Sequence, residues 1–546
     1  MTRRAGSTAG GPAPPRRPGR ASARRIAAID IGSNSIRQVV ADVSPTGAIR
    51  VVDEMRAQPR LGAGLDASGA IAPEAMRRAL EALGRMAQLA RQLGARRVEA
   101  VATSAVRDAS NGQEFAARVK RETGLRLRLL SGEEEARLSF QSALAHFDLG
   151  AGRAAVMDIG GGSLELTLSA DGLIERLLSH PFGAIRLTDQ LLADGAGRRG
   201  VRRLRRLVAD SLRAQLPGRN WRGAQLIGSG GTFTSLAGIY LARHGLQRAQ
   251  TVHGTRVPRQ ELEHILDALQ EMTPAERVAV PGLSPARADI IVAGLAVAAE
   301  VVAQLHARDV TVSAHGIREG LLLECAAVRP AHGGDAGAAR ERSVREFAER
   351  CHYEEPHARQ VQALALQLFD QIGERLGCVP EDRPMLADAA LLHDVGYHID
   401  YNKHHKHSYH LIVHANLLGM SPEEQVVVAN VARYHRGAEP KRSHENYGTL
   451  DRARRDRIAR LAALLRVADG FDRGHVGAVQ AVRARWVNGA LRLSATPDPG
   501  ASTYRLELWG ASRKTDLLSR LLGAPVEVLA PDGTVVAPDG DDGAVD

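Results

Sequence analysis

The residue types best suited to chemistry come together first at residues 156–166. Three glycines, Gly160, Gly161 and Gly162, are closed by Ser163 and bracketed by two carboxylates, Asp158 and Glu165. Residues 154–159 read as a buried strand, and the apolar positions 164, 166 and 168 resume a strand pattern. The glycines strip the turn of side chains, so its N–H groups can reach a polyanion at close range. The expected product is a hairpin tip that cups a phosphate, with a carboxylate on each side for a cation or a water. The alternative is a glycine hairpin that happens to carry two acids, and a second copy weighs against it. Asp30 follows the apolar run 26–29 and leads through Ile31 into Gly32, Ser33, Asn34 and Ser35, after which Ile36, Val39 and Val40 rebuild a strand. Two such units predict a duplicated α/β fold whose phosphate loops face each other across a cleft.

The elements between and after these loops set the positions of the remaining candidates. Pro73 opens a helix with Met76, Leu80, Leu83 and Ala87 on its buried face. A strand at 98–102 leads into residues 103–111, where Arg107 is either a phosphate clamp or an exposed turn arginine. Ser131 and Glu134 form a capping box, so a helix starts there, with Phe140, Leu144 and Phe147 tracing its buried face. First-turn carboxylates ordinarily satisfy the helix dipole, which accounts for Glu133 and Glu134; Glu135 is not distinguished by spacing. A strand at 226–227 ends in the turn 228–232, whose Gly230, Gly231 and Thr232 either lie against a phosphate chain or simply connect strand to helix. The Gly62-Ala63-Gly64 stretch does not run from a strand into a helix and is set aside as a dinucleotide loop. No GxxxxGK[ST] loop occurs, which excludes a Walker-type nucleotidase.

The two loops, together with Thr103-Ser104-Ala105-Val106-Arg107-Asp108, Ser131-Gly132-Glu133-Glu134-Glu135-Ala136-Arg137 and Gly228-Ser229-Gly230-Gly231-Thr232, resemble the exopolyphosphatase/guanosine pentaphosphate phosphatase family. The resemblance covers about 26–330 and, more loosely, continues to about 530. It implies the duplicated ribonuclease H-like fold of actin, heat-shock 70 and sugar kinases. It implies Glu135 as catalytic base, Mg²⁺ held by Asp30, Asp158 and Glu165, and phosphate contacts from residues 32–35, Arg107, 160–163 and 230–232. The expected activity is hydrolysis of terminal phosphoanhydrides of inorganic polyphosphate. The alternatives are the same chemistry on guanosine pentaphosphate (giving the tetraphosphate) or a sensor of polyphosphate or alarmone without turnover. A homodimer is implied by the family. Ala314 and His315 stand where relatives commonly have Asp and Gly or Ala, so the closing segment 311–320 departs from the pattern.

Residues 329–340 read as a linker, and the helical region after it carries a second constellation. His357, His393-Asp394, His407, His435 and Asp469 occur in the order of the HD phosphohydrolase superfamily. That resemblance implies a divalent transition metal held by His357, His393, Asp394 and Asp469, with His407 and His435 serving a second ion, and makes this domain a rival catalytic centre. Strands at 479–487, 491–494 and 504–509, a helix at 512–522 and a strand at 526–529 would complete a small α+β domain. The expected organisation is therefore a basic tail (1–25), two actin-like subdomains (26–148 and 149–328), an all-α HD domain (341–475), the α+β domain (476–530) and an acidic tail (531–546).

Composition narrows the classes. The chain has 546 residues, 44% hydrophobic and 25% charged, as expected of a globular protein with three or four domains. No apolar run approaches the ~20 residues of a membrane helix, and no leader-like apolar segment opens the chain, so a cytoplasmic protein is expected. Cys325, Cys351 and Cys378 match neither a disulfide framework nor a zinc spacing. Seven of the arginines behind the +10 charge lie in the first 25 residues, a tail that either attracts polyanions or is merely solvated. Only 3% of residues are aromatic, which argues against a single-strand nucleic-acid surface.

Overall fold

The structure, a computed structural model, describes residues 23–537 apart from 46, 194, 196, 217–220, 247–250, 329–335, 416 and 418. Most of the basic tail, the core of the expected linker and the end of the acidic tail lie outside the described residues.

The duplication is visible in strand order. In the first sheet β1 (Arg24–Ile31), β2 (Ile36–Val43) and β3 (Ile49–Ala57) form an antiparallel meander. β4 (Arg97–Ala102) and β5 (Leu127–Leu129) add in parallel beside β1, giving the order β3-β2-β1-β4-β5. The second sheet repeats this with β6 (Arg153–Ile159), β7 (Leu164–Ala170) and β8 (Leu173–His180) as the meander. β9 (Gln225–Ser229) and β11 (Asp309–Val312) are its parallel partners, and β10 (Arg256–Pro258) is added at the edge. β1, β2, β6 and β7 are buried along most of their length because both faces are covered, so even the alternating polar residues of β7 (Glu165, Thr167, Ser169) are buried.

Two helices tie the lobes together. The helix Gly132–His146 packs on the second sheet, while the helix Ile317–Cys325 packs back on β1 and β2, and the two helices lie against each other. They touch closely at Gly320, where a Cβ would lie 2.1 Å from the carbonyl oxygen of Leu138. The Ser131 capping box forms, with Ser131 Oγ accepting from Glu134 N and the Glu134 carboxylate accepting from Ser131 N.

A helix over Ala336–Arg350 starts inside the segment expected to be linker, and helices continue to Gly470. The apolar core of the second lobe runs without a break through this helical region into the C-terminal domain, whereas the first lobe has its own core around Ile29, Leu83 and Phe115. The C-terminal sheet is β12 (Val479–Val487), β13 (Ala490–Pro497) and β14 (Val526–Leu529). The strand expected at 504–509 is instead a helix, Arg505–Ser512. Its apolar alternation misleads because Leu508 and Ala511, three apart, are the buried pair, while Leu506 faces out. Gly470 and Gly510 let this helix meet the end of the Arg452–Gly470 helix backbone to backbone: a Cβ on Gly470 would lie 2.6 Å from Ala511 Cα. Among the described residues no helix is long and apolar enough to cross a membrane, and the three cysteines are free.

Candidate active site and a second polar cluster

Both glycine turns close in the same way. Gly32 N donates to Ser35 O (3.1 Å), and Gly160 N donates to Ser163 O (3.0 Å). The second loop is oriented from behind by the helix Ala184–Leu191, whose first N–H groups, on Ala184 and Ile185, bind the carbonyls of Gly160 and Gly161 at 3.0 and 2.9 Å. With these carbonyls engaged, the loop can present N–H groups to the cleft. The two loops touch: a Cβ on Gly161 would lie 2.9 Å from Ser33 Cβ and 3.2 Å from Asn34 N. Ser33 Oγ meets Ser104 Oγ at 3.1 Å. Gly62, set aside above, buttresses the first loop by donating to Ser33 O at 2.9 Å.

The cleft between the loops, about 120 Å³, gathers Asp30, Glu135, Asp158 and Glu165. Sheet register explains three of them. Asp158 pairs across the strands with Glu165, and in the first unit Asp30 pairs with Arg37. Ser139 and Ser229 donate to Asp158 Oδ2 at 3.0 and 2.8 Å, and Ser179 donates to Glu165 Oε1 at 3.1 Å. Asp30 Oδ1 is buried with no hydrogen-bond partner. Burial raises all four carboxyls, and repulsion from neighbouring carboxylates adds to it for Asp30, Glu135 and Glu165. Asp30 is pushed up to about 6 and Glu135 to about 8, the latter against the pull of Arg107. Asp158 is raised, and Glu165 is raised well above the ordinary range.

Arg107 does not stand free to clamp phosphate. Its Nη1 donates to Glu135 Oε1 at 2.6 Å and to the Leu130 carbonyl. It therefore fixes the orientation of Glu135. The cations that line the cleft are Arg37, Arg287 and Arg318, none of which stood out by motif. Arg318 is shared with Glu54 and Glu319, but Arg37 and Arg287 have no carboxylate within ion-pair distance among the described residues. Burial and neighbouring arginines lower both, Arg287 to about 9. One buried guanidinium group, Arg287, and one half-buried, Arg37, each without an ion-paired acid, suit an anionic ligand.

The turn after β9 takes part as well. Gly230 has φ +90°, and a Cβ there would lie 2.7 Å from Asp158 Oδ1; Thr232 is buried against Gly294, and it is Thr234 that lines the cleft. Gly231 lies under Arg287: a Cβ would come 1.7 Å from Arg287 Cζ. Gly231→Ala should therefore displace that guanidinium. It is expected to raise KM for a phosphorylated substrate about ten- to a hundredfold, the range for a lost charge-assisted hydrogen bond. Arg287→Met should do the same and the double variant no more, as checked by steady-state kinetics.

Residues 39–327, more than half the chain, match the model of the Ppx/GppA phosphatase family. The chain belongs to the Ppx/GppA phosphatase family. Residues 339–494 match domain III of the same family. A crystal structure of an exopolyphosphatase from Cytophaga hutchinsonii is 27% identical, with TM-score 0.51, over 56% of this chain and 100% of that one. An exopolyphosphatase-like protein is also 27% identical, with TM-score 0.52, over 56% and 98%. The Ppx/GppA family member of Aquifex aeolicus is 27% identical over 55% and 97%, with TM-score 0.48.

Domain III of this Ppx/GppA phosphatase contains the second cluster. His357, His393, Asp394, His404, His435 and Asp469 are drawn together, mostly buried, from five helical segments. Asp394 Oδ1 faces the Nε2 atoms of His404 (3.1 Å) and His435 (3.4 Å). Its Oδ2 faces those of His393 (3.4 Å) and His357 (3.6 Å). Asp469 Oδ1 lies 3.6 and 3.7 Å from His357 and His393, and its other oxygen accepts from Lys514 of the C-terminal domain.

The position expected for His407 is taken by His404. Ser408, one turn on from His404, packs inward and donates to the His393 carbonyl, which leaves His407 half-exposed at the edge. The Nδ1 atoms of His357, His393, His404 and His435 each lie 2.7–3.0 Å from an acceptor: Asp472 Oδ2 and the carbonyls of Ala390, Tyr401 and Ala432. Each Nδ1 therefore donates, which leaves four Nε2 atoms to face two carboxylates, a donor set suited to divalent metal.

Proposed function

We propose that this chain hydrolyses the terminal phosphoanhydride bond of inorganic polyphosphate at the cleft between the two glycine turns. The observation that carries the reading is Glu135, buried in the cleft beside the phosphate loops and held by Arg107. The loops bind the terminal phosphate through N–H and hydroxyl donors, and Arg37 and Arg287 take its anionic oxygens. Glu135 orients a water and accepts its proton as the water oxygen bonds to the terminal phosphorus. The bridging P–O bond breaks, and its electron pair leaves with the shortened chain.

Asp30, Asp158 and Glu165, with Asp30 Oδ1 unpartnered, are the residues that would hold Mg²⁺. Bound there, the ion supplies positive charge against the charge that builds on the transferred phosphoryl group. The test is phosphate release from long-chain polyphosphate and from guanosine pentaphosphate, side by side. Polyphosphate is expected to be the better substrate; a clear preference for the pentaphosphate would replace this reading with the alarmone phosphatase.

A second reading concerns domain III. Two three-ligand groups share Asp394, whose two oxygens each face a pair of histidine Nε2 atoms. These favour a centre for divalent metal there, separate from the cleft and of the type the HD resemblance implies.

A further inference from the structure

We propose that residues 58–66 of the first lobe form a clasp across the cleft, in which Gln58 and Arg60 act as positioning residues for Arg287. The proposal rests on the reading that Arg287 takes an anionic oxygen of the substrate.

The clasp touches each part of the cleft that faces a phosphate. On its own lobe it holds the first loop: Arg60 N donates to Asn34 O at 3.3 Å, Gly62 N to Ser33 O at 2.9 Å, and Gln58 Nε2 to Asn34 Oδ1 at 3.4 Å. Gly62 makes the close approach possible, since a Cβ there would lie 2.8 Å from Ser33 Cβ. Across the cleft the clasp meets the helix Ala184–Leu191, which orients the second loop. Asp66 Oδ1 lies 3.3 Å from Arg186 Nε, Asp66 Oδ2 accepts from Gln190 Nε2 at 2.9 Å, and Gly64 N donates to Asp189 Oδ2 at 3.4 Å. It also meets the turn that carries Arg287. Gln58 Nε2 donates to the Ala286 carbonyl at 3.0 Å and Arg60 Nη2 does so at 3.4 Å, while Arg60 Nη1 lies 2.7 Å from Asp289 Oδ2. Arg287 is thus flanked in sequence by two groups tied to the first lobe, while its own guanidinium lies over Gly231 of the second.

Two features separate positioning from plain packing. Arg60 has φ +56°, a left-handed conformation uncommon for a residue with a Cβ. Such strain persists only where the surroundings hold it, and here Asn34 O binds the Arg60 N–H while Ala63 N binds its carbonyl at 3.1 Å. The side chains of Arg60 and Asp289 are 40% and 37% exposed, so their ion pair adds little to the stability of the fold. What the contacts do fix is a distance. With Ala286 and Asp289 held, the Arg287 turn keeps its place against the first loop, and a displacement of about an ångström in a substrate-positioning group can cost ~10²-fold.

The test uses full-length protein. Arg60→Asn removes the reach of the side chain and supplies a residue that takes the left-handed conformation more readily than most, so the melting temperature should hold. Backbone N–H groups of residues 284–290 should exchange with solvent faster than in the parent, with no substrate present. On long-chain polyphosphate KM should rise about three- to tenfold, part of the loss expected for Arg287→Met, with kcat little changed. In the Arg287→Met background the same substitution should add nothing, since both act through one guanidinium. Gln58→Met, which keeps the length of the side chain and removes its donors, should move exchange and KM in the same direction. Arg60→Lys, which keeps a charge beside Asp289, should recover part of the KM. Unchanged exchange at 284–290 in both Arg60→Asn and Gln58→Met overturns the clasp, whatever the cleft hydrolyses. KM effects that multiply in the Arg60→Asn, Arg287→Met double variant overturn the claim that Arg60 acts through Arg287. An Arg287→Met variant with the parent's KM overturns the reading of Arg287 as a phosphate ligand, and with it the role given to the clasp. A parent that releases no phosphate overturns the function proposed above, and the exchange measurement alone then decides the clasp.

Discussion

Glu135→Gln is expected to lower kcat by about 10²–10⁴-fold, the range for losing a positioned general base. Glutamine keeps the size of the side chain and can still accept from Arg107, which donates to Glu135 Oε1 at 2.6 Å. The fold and the substrate KM should therefore change little. The pH profile gives an independent readout. Burial raises Glu135, and Asp30 and Asp158 add to the rise despite Arg107, to about 8. A base must be ionised, so kcat/KM of the wild type should climb as pH rises towards that value. Positive charge added among the four carboxylates favours their ionised forms. Raising Mg²⁺ should therefore move the climbing limb to lower pH. Both effects should vanish in the glutamine variant. A variant with wild-type turnover would remove Glu135 from the mechanism.

Gly183→Ala is expected to rank second. A Cβ there would lie 2.2 Å from the Gly162 carbonyl carbon and 2.3 Å from Gly161 C and O. These are backbone atoms and cannot swing away as a side-chain tip can, so the second phosphate loop must move by about an ångström, enough to cost ~10²-fold in rate. The helix that begins at Ala184 and binds the loop's carbonyls moves with it, so the melting temperature should fall as well. Gly84→Ala is the matched control. It lies inside the helix Pro73–Gln92, and its added Cβ meets nothing within 4 Å. It should keep full activity and gain roughly 0.5–1 kcal/mol. Measuring phosphate release and thermal melting on both separates loop displacement from a general cost of adding a methyl group.

The two loops, the capping box that starts the Glu135 helix and the repeat of the strand–turn–strand unit were legible because each is encoded within a short stretch of chain. Arg37 could have been read the same way, since it stands to Asp30 as Glu165 stands to Asp158, opposite across the strands. Arg287 carried no local signal. It reaches the cleft because Gly231, far away in sequence, leaves room for its guanidinium. Arg107 illustrates the converse: its motif was visible, but the carboxylate it engages was not. In the histidine-dense stretch 404–410, spacing could not separate His404 from His407, because the choice depends on how Ser408 packs under His393. The helix Arg505–Ser512 was misread because period-2 alternation can also arise on a short helix whose facing partner is a glycine.

The unbroken apolar core from the second lobe to the C-terminal sheet has a mechanical consequence. An enzyme that takes its substrate between two lobes must part them, and here the parts are unequal in mass. The second lobe, domain III and the C-terminal sheet share one core, so in such a parting they would act as one chassis and the first lobe as the jaw. The chain passes between jaw and chassis around the helices Gly132–His146 and Ile317–Cys325, which meet at Gly320. Glu135 opens the first of these helices and Arg318 the second. On the proposed function, a rotation about these two helices that opened the cleft would also carry Glu135 and Arg318, and so change the reach of both towards a phosphate in the cleft.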